Sequence, residues 1–494
     1  MTTAPTGPTA ITSPRNIYLI GICGTAMASL AGMLQAQGHH VSGSDAAAYP
    51  PMSDMLAQLN IPIREPYAES NLDPRPDLVV IGNAISRGNP ELERVLDERI
   101  PFTSMAALLH QEFLAGREPL VVAGTHGKTT TTSMLAWIYE VAARTNPALT
   151  PSFLIGGVAE NFGTSFHVQT GTKPFLLEGD EYDTAFFDKG PKFLHYFPDA
   201  LILTHVEFDH ADIYTDLAAV KTAFKRLVNL VPRRGRIVAF DGSENVTECV
   251  AKAFCPVERY GFAPDSHWRV TDMQLGSSAA GAGSGSRWTL HRAGLHFADL
   301  HLPMAGEHNA LNATAAAALA AGQGIPAAAI TQALATFRSV KRRLEIRAEI
   351  NGITVIDDFA HHPTAIRETL RALRSAYTGR RLWAVLEPRS NTLRRNVFEQ
   401  DLIDCLALAD RVVIAHVFKS EAIAPTERLL PERVADALQK RGVPAELLPD
   451  VGAIVERVAA DAVPGDVIAI LSNGGFGDIY TRLPAALADC PARS

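Results

Sequence analysis

The stretch LVVAGTHGKTTTT, from Leu120 to Thr132, decides the central fold of this chain of 494 residues. Its first four residues are apolar and predict a short buried strand, and apolar residues at helical spacing from Met134 onward predict a helix. The turn between strand and helix carries Gly124 and Gly127, so several free backbone N–H groups collect at the positive end of the helix dipole. This arrangement is typical of a phosphate-binding loop.

The residues of this loop predict contacts with a nucleotide and its metal ion. In such loops the lysine reaches the outer phosphates and the next hydroxyl ligates Mg²⁺. Val122 stands where the common pattern has its first glycine, so an ordinary strand–turn–helix with a chance Gly-Lys-Thr is the alternative. We expect ATP and Mg²⁺ as cofactors, bound by Gly124, Thr125, Gly127, Lys128, Thr129 and Thr130.

Two further apolar strands, at 174–177 and 200–203, are each followed by a concentration of charge. The first leads into EGDEYDTAFFD, from Glu178 to Asp188, with five acidic residues in eleven positions. The second leads into THVEFDHAD, from Thr204 to Asp212, where His210 lies among carboxylates. Clustered carboxylates need a balancing cation, and oxygen ligands with one imidazole suit a hard metal ion. A solvated acidic turn and an exposed histidine are the alternatives.

The N-terminal part of the sequence predicts a nucleotide-binding βαβ unit. A strand from Asn16 to Ile20 leads into GICGTAM and a helix, and the next strand leads to Ser44 and Asp45, about twenty positions beyond the first glycine. The loop reads G-x-x-G-T rather than G-x-G-x-x-G, which favours a phosphate ligand such as a nucleotide sugar over a dinucleotide. A purely structural tight turn is the alternative. A later strand ends in GNAISRGNP, from Gly82 to Pro90, at the sheet edge where ligands bind.

The C-terminal part alternates strands with helical patterns and predicts an open parallel sheet. The predicted strands are 353–357, 382–386, 411–415 and 467–471. Their ends carry DDFAHHPTA, LEPRSNT and SNGGFGDI, which are too polar for plain connections. Earlier, a Gly/Ser/Ala-rich run at 278–287 predicts a flexible surface loop. In GEHNALNA, Asn309 and Asn312 share one helical face that suits an adenine edge, although capping the helix is an equally ordinary role for Asn309.

Composition limits the classes of partner and compartment. A net charge of −8 argues against a nucleic-acid-binding surface, and no apolar run reaches the ~20 residues that span a bilayer. Five scattered cysteines suit a reducing cytosol, and residues 1–14 predict a disordered tail. We therefore expect a cytoplasmic protein that acts on small molecules, without nucleic acid, membrane or an obligatory protein partner.

In order, GTHGKTTT, EGDEYD, VEFDHAD, GEHNALNA, KRRLE and DDFAHHPTA resemble the motifs of the Mur ligases over nearly the whole chain. Mur ligases are ATP-dependent enzymes that form amide bonds in bacterial peptidoglycan synthesis. The resemblance implies an α/β fold of three domains after the tail at 1–14. These are a Rossmann-like UDP-sugar-binding domain at 15–117, a central P-loop ATPase-type domain at 118–337 and a Rossmann-like peptide-binding domain at 338–494.

The resemblance also implies roles for individual residues. The implied catalytic residues are Lys128, Glu178, His210 and Arg343, and the implied metal ligands are Thr129, Glu178 and His210. ATP would further contact Asn309, Asn312, Arg343, Asp358 and His362. The UDP sugar would contact Gly21, Gly24, Thr25, Ser44, Asp45, Asn83 and Ser86. Lys225 lies about where several Mur ligases carry a carbamylated lysine, but no modification is predicted.

A separate hypothesis concerns Arg389, Ser390 and Asn391, which follow a predicted strand. A guanidinium fork at a strand end suits bidentate binding of a carboxylate. We expect these three residues to recognise the carboxylates of an incoming peptide.

Within the family, GNAISRGNP, LEPRSNT and SNGGFG are similar to the peptidoglycan-recycling branch. This similarity implies a ligase that joins the lactyl carboxylate of UDP-N-acetylmuramate to the amine of L-Ala-γ-D-Glu-meso-diaminopimelate. The reaction would pass through an acyl phosphate and give UDP-MurNAc-tripeptide, ADP and phosphate. UDP-N-acetylmuramate–L-alanine ligase is the alternative, since GICGTAM and DDFAHHPTA are similar to that enzyme. A folylpolyglutamate synthetase and a nucleotide-binding regulator are more distant alternatives.

Overall fold

The computed structural model describes residues 13–48, 52–276 and 285–489. The predicted disordered tail therefore lies outside the described residues except for its last two positions. Of the Gly/Ser/Ala-rich run, positions 278–284 also lie outside them. Ser286 and Arg287 begin a strand, so the prediction of a flexible loop is wrong at the end of that run.

The N-terminal domain is a parallel sheet of five strands in the order β3-β2-β1-β4-β5. The strand order reverses between β1 and β4, so the loops that follow these two strands meet at the switch point, where open sheets bind ligands. The elements are β1 Asn16–Ile20, α1 Thr25–Ala36, β2 His40–Ser44, α2 Met52–Gln58, β3 Ile63–Arg64, β4 Leu78–Ile81, α3 Pro90–Asp97, β5 Phe102–Ser104 and α4 Met105–Leu109.

The central domain contains a sheet of ten strands in the order β17-β16-β15-β14-β13-β12-β6-β9-β7-β8 and a separate hairpin of β10 and β11. The sheet is parallel from β15 to β7, and β8, β16 and β17 add antiparallel strands at its two edges. The elements are β6 Glu118–Ala123, α5 Lys128–Ala143, β7 Ser152–Ala159, β8 Thr164–His167, β9 Pro174–Gly179, β10 Asp183–Ala185, β11 Asp188–Pro191, β12 Ala200–Leu203, α6 Leu217–Leu230, β13 Arg236–Phe240, α7 Glu244–Val250, β14 Val257–Gly261, β15 Trp268–Leu275, β16 Ser286–Arg292, β17 Leu295–Leu302, α8 Glu307–Gly322 and α9 Ala327–Ala335.

The C-terminal domain is a sheet of six strands in the order β18-β19-β23-β20-β21-β22. The elements are β18 Glu345–Ile350, β19 Ile353–Asp358, α10 Pro363–Ala376, β20 Leu382–Leu386, α11 Glu399–Leu406, β21 Arg411–Ala415, α12 Pro431–Lys440, β22 Ala445–Leu448, α13 Val451–Asp461, β23 Val467–Leu471 and α14 Ile479–Asp489. Each of the three large sheets lies within one of the predicted ranges 15–117, 118–337 and 338–494, whose bounds stay predictions.

The prediction of a wholly parallel C-terminal sheet is wrong at one edge, because β18 runs antiparallel to β19. The two strands are joined by Asn351 and Gly352 alone, with φ values of 50° and 76°. A two-residue Asn-Gly loop with positive φ at both positions is a favoured hairpin turn. This dipeptide is therefore the sequence feature from which the antiparallel pairing could have been predicted.

Buried small residues bring two helices of the central domain together at the phosphate loop. In α8 every residue from Asn309 to Ala320 is buried, and most are alanine. A helix that is apolar all round packs inside a domain, and its small side chains permit a close approach to α5. This packing places Asn312 against Gly127.

Across the described ranges, no helix combines the length and apolar character that crossing a bilayer requires.

A single methyl group at Gly43 tests how tightly β2 lies against β1. A Cβ there would overlap the carbonyl oxygen of Leu19 and lie 2.8 Å from Cδ1 of Ile22. We expect Gly43→Ala to lower the free energy of unfolding by about 1–3 kcal/mol, because backbone atoms have to shift. Denaturant unfolding of this variant is compared with Ser42→Ala on the same strand, and equal stabilities would contradict the packing described.

Candidate active site

The phosphate loop joins β6 to α5 through two glycines with positive φ, 132° at Gly124 and 80° at Gly127. A Cβ at Gly124 would overlap Oγ1 of Thr204, and a Cβ at Gly127 would lie 2.5 Å from Oδ1 of Asn312. Both positions therefore require glycine, and the loop leads directly into the N-terminus of α5. The phosphates of ATP fit this cradle.

Lys128, the first residue of α5, is held in a buried ion pair. Its Nζ lies 2.8 Å from Oε2 of Glu181 and donates to the carbonyl of Gly124 at 2.7 Å. Burial alone lowers the pKa of Lys128, but Glu181 and Asp180 outweigh it and raise that pKa above its usual value. The lysine is therefore charged. Glu181 is thus a candidate functional residue that lies within the motif EGDEYD but was not assigned a role from the sequence.

Thr129, Glu178 and Arg343, to which the resemblance assigns contacts with the metal ion or ATP, lie together beside this pair. Thr129 Oγ1 donates to Glu178 Oε2 at 3.2 Å, and Arg343 Nη2 donates to Thr129 Oγ1 at 3.5 Å. The N–H of Gly156 donates to the other carboxylate oxygen of Glu178 at 2.5 Å. Burial raises the pKa of Glu178. A hydroxyl and a carboxylate with an arginine nearby suit an ion that is bound to phosphate.

His210 lies in a left-handed backbone conformation, with φ of 53°, and contacts Glu181 rather than Glu178. Its Nε2 lies 3.3 Å from Oε1 of Glu181. Burial lowers the pKa of His210, but Glu181 and Asp209 outweigh it and raise the pKa to about 9. The three predicted metal ligands therefore do not share one set of contacts. Thr129 contacts Glu178, whereas His210 contacts Glu181. Their binding of Mg²⁺ stays a prediction.

The predicted adenine end of the site contains two unpaired histidine nitrogens. Among the described groups, Nδ1 of His205 and Nδ1 of His308 are buried and have no hydrogen-bond partner. Orphaned buried polar atoms next to a phosphate loop suit a ligand that carries its own donors and acceptors, such as adenosine. Asn309 is buried inside α8 and donates to the carbonyl of Ala305 at 2.8 Å, while Gly306 occupies the N-cap. The residues present therefore fit ATP.

His362, another predicted ATP contact, lies at the boundary between the central and C-terminal domains. Its Nε2 lies 3.2 Å from the carbonyl oxygen of Phe208, and burial lowers its pKa to about 4. Its ring centroid lies 4.6 Å from that of His126 in the phosphate loop.

Asp358, in contrast, is bonded within its own domain. Its carboxylate accepts from the N–H of Leu344 at 2.8 Å and from the N–H of Ala360 at 2.9 Å. Thr369 Oγ1 donates to it at 3.1 Å. The carboxylate thus holds the segment that carries Arg343, and its contact with ATP stays a prediction.

Hydrogen bonds to the last residue of β2 and to the residue after it hold the predicted UDP-sugar loop in place. Gly21 donates its N–H to the carbonyl of Ser44 at 2.8 Å, and the hydroxyl of Ser44 donates to Glu91 at 2.5 Å. Asp45 accepts from the N–H of Cys23 at 2.9 Å. Ser44 is fully buried, so in this structure it supports the loop and does not face the cleft. The exposed groups at the N-terminus of α1 are Gly24 and Thr25.

A cavity of about 490 Å³ lies between the N-terminal and central domains. Asn83 lines it from the loop after β4, while Ser86 of the same loop is exposed. Two cationic side chains that were not predicted from the sequence, Lys189 and Lys192, also line this cavity. Lys192 Nζ lies 2.6 Å from Oδ2 of Asp180, and Lys189 Nζ lies 2.6 Å from Oδ2 of Asp183.

A second cavity, of about 350 Å³, lies between the central and C-terminal domains. Arg389, Ser390 and Asn391 line it, as does His210. The guanidinium of Arg389 stacks 3.8 Å above the ring of Phe418. Two further cations line this cavity that were not predicted, Arg394 and Lys419.

Lys225 lies apart from both cavities. It is on α6, where its Nζ lies 2.7 Å from Oε1 of Glu248.

Profiles of one protein family match three successive parts of the chain. The Mur ligase family catalytic domain matches residues 16–116, the Mur ligase middle domain matches 122–320, and the Mur ligase glutamate ligase domain matches 342–474. An Escherichia coli K12 protein is 42% identical over 473 residues, which cover 96% of this chain and 98% of that protein. The chain belongs to the Mur ligase family. It is therefore an ATP-dependent ligase that forms amide bonds, and the predicted three-domain α/β fold is confirmed.

The relatives differ in the substrate that their names give. The Escherichia coli protein is named UDP-N-acetylmuramate–L-alanyl-γ-D-glutamyl-meso-2,6-diaminoheptandioate ligase. A UDP-N-acetylmuramate–L-alanine ligase of Acidithiobacillus ferrooxidans is more distant, at 32% identity over 489 residues, 97% of this chain and 99% of that protein. A solved structure of a murein peptide ligase from Psychrobacter arcticus 273-4 has a TM-score of 0.72 and 36% identity, covering 97% of this chain and 100% of that one.

Removing the charge of Glu181 tests the buried pair with Lys128. We expect Glu181→Gln to lower the free energy of unfolding by about 3 kcal/mol without nucleotide, because an unpaired ammonium is left buried. Mg-ATP should restore part of this loss, since its phosphates give Lys128 a new partner. Thermal unfolding with and without Mg-ATP measures both effects.

Glu248→Gln is the matched control, because Glu248 pairs with Lys221 and Lys225 on the exposed surface. That variant should lose no more than about 1 kcal/mol. Equal losses in the two variants would contradict a special role for the buried pair.

Proposed function

We propose that this chain joins the lactyl carboxylate of UDP-N-acetylmuramate to the free amine of L-Ala-γ-D-Glu-meso-diaminopimelate, with ATP cleaved to ADP and phosphate. One observation carries the choice of the peptide over a single amino acid. The second cavity presents three cationic side chains of the C-terminal domain, Arg389, Arg394 and Lys419. The tripeptide carries three carboxylates, whereas L-alanine carries one. The name of the 42% identical relative supports the same substrate.

Two of these cations have no acidic partner within the described residues, namely Arg394 and Lys419. The guanidinium of Arg394 donates to Oδ1 of Asn391 at 2.6 Å and to the carbonyl of Phe418, while its buried Nε has no partner there. Cations without carboxylate partners at the wall of a cavity suit an anionic ligand that brings the missing charge.

Activation of the carboxylate is the first chemical requirement, because hydroxide is a very poor leaving group. In the proposed reaction the lactyl carboxylate attacks the γ-phosphate of ATP, and the acyl phosphate so formed has phosphate as its leaving group. Lys128 and Arg343 would neutralise charge on the phosphates. Mg²⁺, when bound by Thr129, Glu178 and His210, would supply further charge neutralisation.

The first cavity suits the sugar end of UDP-N-acetylmuramate. It adjoins the loops of the N-terminal domain through Asn83 and the acidic segment after β9 through Asp180. A substrate carboxylate that enters these acidic surroundings needs a compensating cation, and Lys192 is buried at this wall. We propose that Lys192 helps to hold the lactyl carboxylate.

Closure of the C-terminal domain would protect the acyl phosphate from hydrolysis by excluding water. Thr392 of that domain donates to Oδ1 of Asp209 at 2.6 Å, and Asn391 donates to Oδ2 of Asp212 at 2.8 Å. We propose the cytoplasm as the compartment of the reaction, since ATP and UDP-linked sugars are made there.

The amine substrate is tested by measuring ADP release with UDP-N-acetylmuramate and Mg-ATP. We expect the tripeptide to stimulate ADP release, and free L-alanine to have no effect at the same concentration. Lys128→Ala is the control for contaminating ATPase, and it should lose turnover but keep UDP-sugar binding. Stimulation by L-alanine alone would replace this proposal with the L-alanine-adding reaction.

Recognition of the peptide carboxylates is tested at Arg389. We expect Arg389→Lys to raise KM for the tripeptide about tenfold, because the planar fork and its stacking on Phe418 are lost. KM for ATP should stay within about twofold. Arg395→Lys is the matched control, since Arg395 pairs with Glu427 away from the cavity. A wild-type KM for the tripeptide in Arg389→Lys would rule out this role.

A further inference from the structure

Three side chains that the predicted magnesium site does not use converge where the central and C-terminal domains meet. They are His126 in the phosphate loop, Glu207 after β12 and His362 at the N-cap of α10. One donor atom of each lies within 4.8 Å of the other two. In the described ranges, no second group of three histidine, cysteine or acidic side chains is as close.

The distances within this group are near those that a bound metal ion requires. His126 Nε2 lies 3.1 Å and His362 Nδ1 lies 3.7 Å from the same oxygen, Oε2 of Glu207. In a tetrahedral zinc site with bonds of about 2.0–2.1 Å, ligand atoms lie about 3.3 Å apart. Side-chain rotation of the two half-buried ligands, His126 and Glu207, would bring the donor atoms to this spacing.

Hydrogen bonds outside the group orient its ligands. The carbonyl oxygen of Phe208 lies 3.2 Å from His362 Nε2, so that nitrogen carries the proton and Nδ1 is left as an acceptor. Within the described residues Nδ1 accepts only a long bond, of 3.3 Å, from the N–H of Thr364. The hydroxyl of Thr364 donates to Oε2 of Glu207 at 2.7 Å. Such bonds to a carbonyl and a carboxylate are how metal sites fix the ring tautomer and the ligand direction.

From this geometry we infer that His126, Glu207 and His362 bind a d-block divalent cation, with Zn²⁺ as the best fit. Two imidazoles and one carboxylate form a common zinc ligand set that leaves a fourth position open. A ligand set with two nitrogen atoms and one carboxylate disfavours Mg²⁺ and Ca²⁺, which prefer sites made mostly of oxygen. The site is thus distinct in chemistry from the oxygen-rich group around Glu178.

The ion would join two domains. His126 and Glu207 belong to the central domain, whereas His362 is the N-cap of α10, the first helix of the C-terminal domain. A bound Zn²⁺ therefore holds these two domains together. Because binding is measured without substrates, failure of this inference and failure of the proposed ligase reaction are separable.

Zn²⁺ alone, titrated into the full-length chain by calorimetry, tests the site. We expect one equivalent to bind with a Kd of about 10 µM or lower, and His126→Ala or Glu207→Gln to weaken that binding at least tenfold. His195→Ala is the matched control, because His195 pairs with Asp188 at 2.7 Å outside the site. It should bind Zn²⁺ as the wild type does.

His210→Ala separates this site from the predicted magnesium ligands and should also retain Zn²⁺ binding. The inference is overturned if Zn²⁺ does not bind at one equivalent. It is equally overturned if binding survives in His126→Ala and Glu207→Gln but is lost in His210→Ala. As a second readout, excess Zn²⁺ should raise the melting temperature of the wild type and not that of Glu207→Gln.

Discussion

The buried ion pair between Lys128 and Glu181 is the interaction on which the rest of the site depends. Glu181 is 1% exposed, and removing a charge of this kind from water is costly unless a partner compensates it. The pair ties the N-terminus of α5 to the segment after β9, and the contact of Glu181 with His210 extends it to the segment after β12. Glu181 follows β9 and bonds both to Lys128, which follows β6, and to His210, which follows β12. The segments after these three parallel strands therefore meet at one carboxylate.

Charged side chains also hold the segment that connects the central domain to the C-terminal domain. Arg343 reaches Thr129 from a backbone in which its neighbours Arg342 and Leu344 have φ values of 62° and 50°. Non-glycine residues in this region cost about 1–3 kcal/mol each, so other contacts have to hold them. Asp358 binds the N–H of Leu344, and Asp357 binds the guanidinium of Arg342. The strained crossing between domains is thus stabilised by the two adjacent aspartates at the end of β19.

Much of this arrangement could be predicted from local sequence, because strand ends and glycine turns are local features. The bounds of β1, β12, β20, β21 and β23 agree with the predicted strands. Partners that come together only in the fold could not be predicted. Lys128 and Glu181 were both within recognised motifs, but their pairing crosses 53 positions of sequence. Arg394 and Lys419 gave no signal, because a basic residue in a polar segment is normally solvated. In the fold both line a cavity together with Phe418.

The two cavities share one wall, which includes Tyr182. Tyr182 lines both of them, its hydroxyl is bonded to Asp212 on the first-cavity side, and Asn391 on the second-cavity side donates to both of these residues. Burial and Asp212 raise the pKa of Tyr182 above its usual range, so the phenol stays neutral and acts as a donor. Because Asn391 belongs to the C-terminal domain, that domain contributes directly to the wall between the two cavities. The cavity proposed for the sugar and the cavity proposed for the peptide are therefore separated where the C-terminal domain contacts the central domain.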